Sequence, residues 1–217
     1  VRTLAVLPVK RFHLAKQRLS ADLSQEFRGD LAEAMVADVL AALAGCEAVE
    51  AILVVTNEPR VADLARARGA EAVPDPHESG QSAAVAVGLA RALADGFDRA
   101  LLVPGDCPAL DPTELDGLLA DTRAGTSVVI VPDRHGIGTN GLLLTPPNAL
   151  APTFGPGSCR RHRERAAAAG AVCRVAQIPS LLLDVDTPRD LDALREALEI
   201  RGGQAERTRA VLATWPR

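Results

Sequence analysis

Short apolar runs and longer amphipathic stretches alternate along this chain. Runs near residues 3–8, 51–56, 70–74, 100–104, 126–132, 140–145 and 172–177 are leucine-rich or β-branched, which predicts strands. Between the first two, Phe27, Leu31, Met35, Val39 and Leu43 recur every four residues with Ala34 and Ala42 beside them, predicting a helix packed on a sheet. Further helices are predicted over 59–68, 81–95, 112–121, 158–169 and 188–199. Asp186-Thr187-Pro188 caps the last and puts proline at its first position, and Leu191, Leu194 and Leu198 supply its buried face. Strand and helix in turn form βαβ units, so the expected fold is α/β, a largely parallel sheet covered by helices on both faces. Ligands of such sheets collect beyond the carboxyl ends of the strands. That directs attention to the loops at 8–22, 74–80, 104–111, 132–139 and 184–188.

Length and composition narrow the classes. The 217 residues suit one domain, expected over 1–200, with a polar C-terminal tail over 201–217 that is open between a short helix and a loosely held end. A net charge of -4 and 2% aromatic residues argue against a nucleic-acid partner, which would want a basic field and stacking platforms. No apolar run approaches the roughly 20 residues of a membrane span. The opening Val1–Pro8 stretch is too short for a secretory signal and reads as a strand. Cys46, Cys107, Cys159 and Cys173 are widely separated, suggest neither a zinc site nor a disulfide framework, and fit a cytoplasmic location.

Candidate chemistry sits in the expected loops. Both lysines of the chain, Lys10 and Lys16, fall in the first loop beside Arg18, although arginine supplies almost all of the 24 cationic residues. Compact ammonium groups suit a crowded polyphosphate; a solvated loop is the plain alternative. Asp106 ends the Leu101–Val103 run at the active edge, where a carboxylate can hold Mg²⁺, though aspartate there is often only a turn residue. Asp184 and Asp186 share one side of an extended segment, and Asp186 or Thr187 could instead simply cap the last helix. Ser158 can cap a helix whose first turn carries Arg160, Arg161, His162 and Arg163, a placement the helix dipole disfavours and an anion would relieve; an exposed helix with its charge in water and Glu164 nearby is the plain alternative. Gly80, Gln81 and Ser82 open a small-residue helix that could approach a nucleobase closely, with plain packing the equal alternative. No histidine pair has metal-ligand spacing, and no Ser-His-Asp order stands out.

Taken together, P-V-K with K-x-R-L in the first loop, G-D-C-P-A-L, G-T-N, F-G-x-x-S-x-x-x-H and D-V-D-T-P-x-D-L resemble the 2-phospho-L-lactate or phosphoenolpyruvate guanylyltransferases of coenzyme F420 biosynthesis, from about residue 3 to 199. The resemblance implies a single Rossmann-like domain of the nucleotide-diphospho-sugar transferase type. It implies transfer of GMP from GTP to phosphoenolpyruvate, or to 2-phospho-L-lactate, with release of pyrophosphate, Mg²⁺ as cofactor and a downstream F420-pathway transferase as partner. By motif, Thr139, Gly155 and Ser158 would bind the phosphorylated acid, and Lys10, Lys16 and Arg18 with Gly80, Gln81 and Ser82 would bind GTP. Lys10, Lys16 and Asp106 would be catalytic, with Asp106 and Asp186 on the metal. Many relatives carry another aspartate where this chain has Pro104, which throws more of the metal onto Asp186 or Asp184. Where relatives often show G-L-N-A-A, this chain has Gly80-Gln81-Ser82-Ala83-Ala84. Rival readings are a nucleotidyltransferase for a molybdopterin or sugar phosphate, a glycosyltransferase on the same fold, and a silent nucleotide sensor.

Overall fold

A computed structural model describes residues 1–14, 16–120, 125–201 and 204–215. Seven strands, β1 (Thr3–Val9), β2 (Ala51–Thr56), β3 (Glu71–Val73), β4 (Arg99–Leu102), β5 (Ser127–Pro132), β6 (Thr139–Thr145) and β7 (Val172–Val175), form one sheet in the order β3-β2-β1-β4-β6-β5-β7. β6 alone runs against its neighbours, antiparallel to β4 and β5, and the other pairings are parallel. The mixed, mostly parallel sheet and its seven predicted strands are thus as the apolar runs indicated. The reversal of β6 matters for the site. It carries Thr139 and Asn140, at the start of that strand, to the edge where β1 and β4 end.

Helices α1 (Gln25–Ala44), α2 (Pro59–Ala67) and α4 (Pro112–Ala120) cover one face, and α3 (Gln81–Ala94) and α5 (Ser158–Ala168) the other. Along β1 the side chains alternate between them, Ala5 and Leu7 joining one core and Leu4 and Val6 the other. α3 lies so close to β1 that a Cβ on Gly88 would stand 2.3 Å from Val6 Cγ1, which is why that position is glycine.

The apolar stripe of α1 serves two cores. A four-residue repeat advances about 400° per step, drifting about 40° around the helix each time. Leu31 and Met35 therefore face a third apolar cluster, while Val39 and Leu43 face the sheet. That third cluster is built with α6 (Pro188–Arg201), through Leu191, Leu194 and Leu198, and with α7 (Glu206–Thr214), through Leu212. Of the two forms open for the 201–217 segment, its described part shows the helix. Asp38 of α1 caps it, accepting from the Thr208 amide at 2.8 Å and the Thr208 hydroxyl at 2.7 Å. Trp215 then stacks under Arg195 and against Phe27. Residue 121, where the sequence pattern ends the fourth helix, and residues 202, 203, 216 and 217 of the tail lie outside the described residues.

Candidate active site

A cleft of about 710 Å³ opens at the carboxyl edge of the sheet, and all five loops picked out from the sequence reach it. Lys10, Lys16 and Arg18 line it from the first loop, Gly80 and Gln81 from the start of α3, and Asp106 from beyond β4. Thr139, Gly155 and Ser158 line it from β6 and the start of α5, and Asp184 and Asp186 from the turn before α6. Ser82 does not line the cleft. Its hydroxyl instead accepts the Phe154 amide at 3.0 Å, tying α3 to the loop that carries Gly155.

Burial of Leu19 and Leu23 in the third cluster pulls the first loop inward. Lys16 sits there in the left-handed region with φ 52°, and its side chain is only 7% exposed. Its Nζ donates to Asp106 Oδ2 at 2.5 Å and to Asp186 Oδ1 at 3.2 Å. Burial works to lower the Lys16 pKa, but the two carboxylates outweigh it and hold the group above its ordinary value. Arg18 lies 3.6 Å from the other Asp186 oxygen. Among the described residues Asp184 has no such cation. Burial, and next the charge of Asp106, push its carboxyl up, and the Asn140 amide at 3.1 Å partly offsets this.

Asp186 is free to face the cleft because another acid caps the helix. Asp190 Oδ2 accepts from the Asp186 and Thr187 amides at 3.1 and 2.7 Å and from the Thr187 hydroxyl at 2.8 Å. This is the N3 half of a capping box, reinforced by Arg134. Capping therefore does not account for Asp186.

The basic turn of α5 departs from expectation. Gly157, with φ 74°, holds the N-cap position, and Ser158 is the first helical residue. The Ser158 and Cys159 amides are already taken by the carbonyls of Gly155 and Ile137, so this helix start offers an anion fewer free N–H groups than its sequence suggests. None of the three arginines lines the cleft. Arg160 pairs with Glu164, and Arg161 folds back on the carbonyls of Thr153, Phe154 and Pro156, bracing the loop. The polar lining comes instead from hydroxyls. Ser158 Oγ donates to Thr139 Oγ1 at 3.1 Å, and Thr139 Oγ1 lies 3.1 Å from His162 Nδ1. His162 is fully buried, with Nε2 accepting the Thr153 amide at 2.9 Å and Phe154 against the ring edge. Burial, aided by Arg161 and Arg165, lowers its pKa to about 4, so the ring is neutral at neutral pH.

Two further groups, to which the sequence motifs assign no role, shape the cleft. Asn140 Nδ2 bridges the Leu181 carbonyl and Asp184, a contact with a segment some forty residues away that local spacing cannot signal. Glu78, in the left-handed region, is held by Asn57 and Arg11 at 2.8 Å each at the cleft wall near Gly80. Those two contacts keep its carboxyl below the usual range.

Among the described residues no three His, Cys, Asp or Glu side chains gather as a metal-ligating group. Asp106 and Asp186 nevertheless point oxygens at one shared ammonium. Two carboxylates are enough for Mg²⁺, which keeps waters and takes phosphate oxygens. The donor chemistry fits that ion.

The family described as CofC-like guanylyl transferases matches residues 3–208 of this chain. The chain belongs to that family. Like these guanylyl transferases, the phosphoenolpyruvate guanylyltransferase of Conexibacter woesei is similar to it, 50% identical over 97% of this chain and 95% of its own length. The 3-phospho-D-glycerate guanylyltransferase of Phenylobacterium zucineum is 38% identical over 96% and 94%. The fold recurs in a Desulfovibrio desulfuricans G20 protein described as a nucleotide-diphospho-sugar transferase, with TM-score 0.75 and 18% identity over 97% of this chain and 94% of that one. It recurs again in a nucleotidyl transferase from Methanothermobacter, with TM-score 0.65 and 20% identity over 93% and 99%. The guanylyl transferase chain is accordingly a Rossmann-like domain of the nucleotide-diphospho-sugar transferase type, and among its described residues no helix is long and apolar enough to cross a membrane.

Proposed function

We propose that this guanylyl transferase moves GMP from GTP onto a phosphorylated three-carbon acid, with phosphoenolpyruvate the first choice of acceptor and 2-phospho-L-lactate or 3-phospho-D-glycerate the others. The observation that carries this is a cleft with cations at one side, hydroxyls at the other and Asp106 and Asp186 between them. Lys10, Lys16 and Arg18 hold the triphosphate, Gly80 and Gln81 lie against the base, and Thr139, Gly155 and Ser158 receive the acid. Ser82 acts on that wall only through its bond to Phe154.

A phosphate oxygen of the acceptor attacks the α-phosphorus of GTP. The bond from that phosphorus to the bridging oxygen of the β-phosphate breaks, pyrophosphate leaves with the electron pair, and guanosine and the acid end joined by a diphosphate. The attacking phosphate is already anionic at neutral pH, so no general base is required. The chain's work is to orient the two substrates and offset charge on the leaving pyrophosphate through Lys10, Lys16 and Arg18. Mg²⁺, when held by Asp106 and Asp186, supplies further charge neutralisation there. The pathway this reading supports is coenzyme F420 assembly in the cytoplasm, with a downstream transferase consuming the product.

The test is pyrophosphate release from GTP and Mg²⁺ with each of the three acids in turn, with a coupling enzyme to draw off a labile product. Phosphoenolpyruvate should give the highest kcat/KM. Silence with all three acids sinks the reading.

A further inference from the structure

The cleft wall at β6 and α5 contains a proton count that depends on one residue outside the cleft. The Thr153 amide can only donate, so the nitrogen it reaches, His162 Nε2, must be bare. A neutral ring then carries its proton on Nδ1, and that proton points at Thr139 Oγ1, 3.1 Å away. Thr139 and Ser158 share one further hydrogen bond between their hydroxyls. Two hydroxyls own two protons, and the bond between them uses one. Because His162 donates to Thr139 and takes nothing from it, the second proton stays with the pair and can be given to a ligand in the cleft. With the other tautomer, Thr139 would have to donate to Nδ1 and Ser158 to Thr139, and no proton would remain for an anion.

We propose that His162 is a positioning residue for the acceptor: held as the Nδ1–H tautomer by the Thr153 amide, it keeps the Thr139–Ser158 pair a hydrogen-bond donor toward a phosphate or carboxylate oxygen. The role rests on the acceptor site proposed above. It also explains a buried histidine with both ring nitrogens engaged behind two cleft hydroxyls, in an enzyme whose chemistry needs no histidine base. The arrangement favours an anionic oxygen over an ammonium or other donor-only group at this subsite, since the wall presents a proton and a charged acceptor makes the stronger bond with it. The lowered pKa of His162 agrees with a ring that stays neutral in use.

Two measurements test this. In protein labelled with ¹⁵N at histidine, with the His162 signals assigned by their loss in His162→Gln, the proton at neutral pH should be on Nδ1 with Nε2 bare; a protonated Nε2 overturns the proposal. In steady-state kinetics, His162→Gln keeps an acceptor toward Thr153 but loses the donor to Thr139. It should raise the KM for phosphoenolpyruvate about tenfold or more and leave that for GTP within about twofold. His162→Asn, whose amide nitrogen stands near the Nδ1 position, should recover most of the loss. Equal shifts in both KM values, or no recovery with asparagine, overturn the role. Thr139→Val separates the two levels of failure. If it leaves the phosphoenolpyruvate KM unchanged, the acceptor assignment falls and the positioning role with it; if it raises that KM while His162→Gln does not, the positioning role alone is wrong.

Discussion

Lys16 Nζ stands 2.5 Å from Asp106 and 3.2 Å from Asp186, so one buried ammonium joins two acids that lie 80 residues apart in the chain. Those carboxylates are also the proposed metal ligands, which makes lysine and cation partners for the same oxygens. Lys16→Met leaves Asp106 without its partner and Asp186 with only the more distant Arg18, and because both carboxylates are partly exposed it should cost about 1–2 kcal/mol of stability without metal. Added Mg²⁺ should raise the Tm of the variant more than that of the wild type. Equal shifts in thermal melts of the two proteins would show that cation and lysine do not share these oxygens.

Asp106→Asn keeps the shape of the side chain and removes its charge. We expect kcat with Mg²⁺ to fall about 100-fold or more, as when one charge-stabilising group is lost from a transfer site. The circular dichroism spectrum should be unchanged, so a variant that is inactive because it is unfolded would be recognised.

Ser158→Ala removes one of the two hydroxyls of the acceptor wall and, since the amide of Ser158 is bonded to Gly155, leaves the start of α5 intact. The acceptor KM should rise about tenfold and that for GTP should hold within about twofold. The opposite ranking would exchange the two substrate sites.

His162 links stability to pH. Its folded pKa is lowered from the ordinary 6.5 to about 4, so above pH 6.5 both folded and unfolded forms are neutral and its full contribution is present. As pH falls below 6.5 the unfolded chain takes up the proton first, and stability is lost progressively until the folded ring protonates near pH 4. The loss amounts to about 3 kcal/mol. Arg161 and Arg165 oppose protonation, while Thr139, Thr153 and Phe154, which touch the ring, carry no charge to favour it. Carboxylates such as Asp190 also weaken the fold in acid, so the measurement is the difference between wild type and His162→Gln in urea unfolding across this range. The wild type should lose the larger amount.

Asp38→Ala removes the cap that α1 supplies to α7 and should lower stability by about 1–2 kcal/mol in the same experiment. Because α7 lies away from the cleft, kcat and both KM values should stay at wild-type levels.

Several features were legible before any fold was known. Strand and helix order follow from apolar periodicity, a property of neighbouring residues, and the loops at the carboxyl edge follow from that order. Lys10 and Lys16 stand out because lysine is scarce here, and Asp106 because it ends an apolar run. The reading of the α5 start was less accurate. Ser158 looks like a cap and the arginines like an anion site, yet Gly157 takes the cap position, Arg160 turns to Glu164 and Arg161 to loop carbonyls. Side-chain direction on a helix depends on what packs against it, and composition does not report that.

The sequence by itself determined the α/β class, the family motifs and the edge of the sheet at which they meet, because burial of alternating faces leaves few other arrangements. Only the tertiary structure decided which groups act on one another. The reversal of β6 brings Thr139 to the cleft that holds Asp106, Asp190 takes over the capping that would have occupied Asp186, and the Thr153 amide fixes the proton of His162. The last two are short-range polar contacts, effective over about 3 Å. Chain positions far apart meet at that range only after the hydrophobic layers have closed.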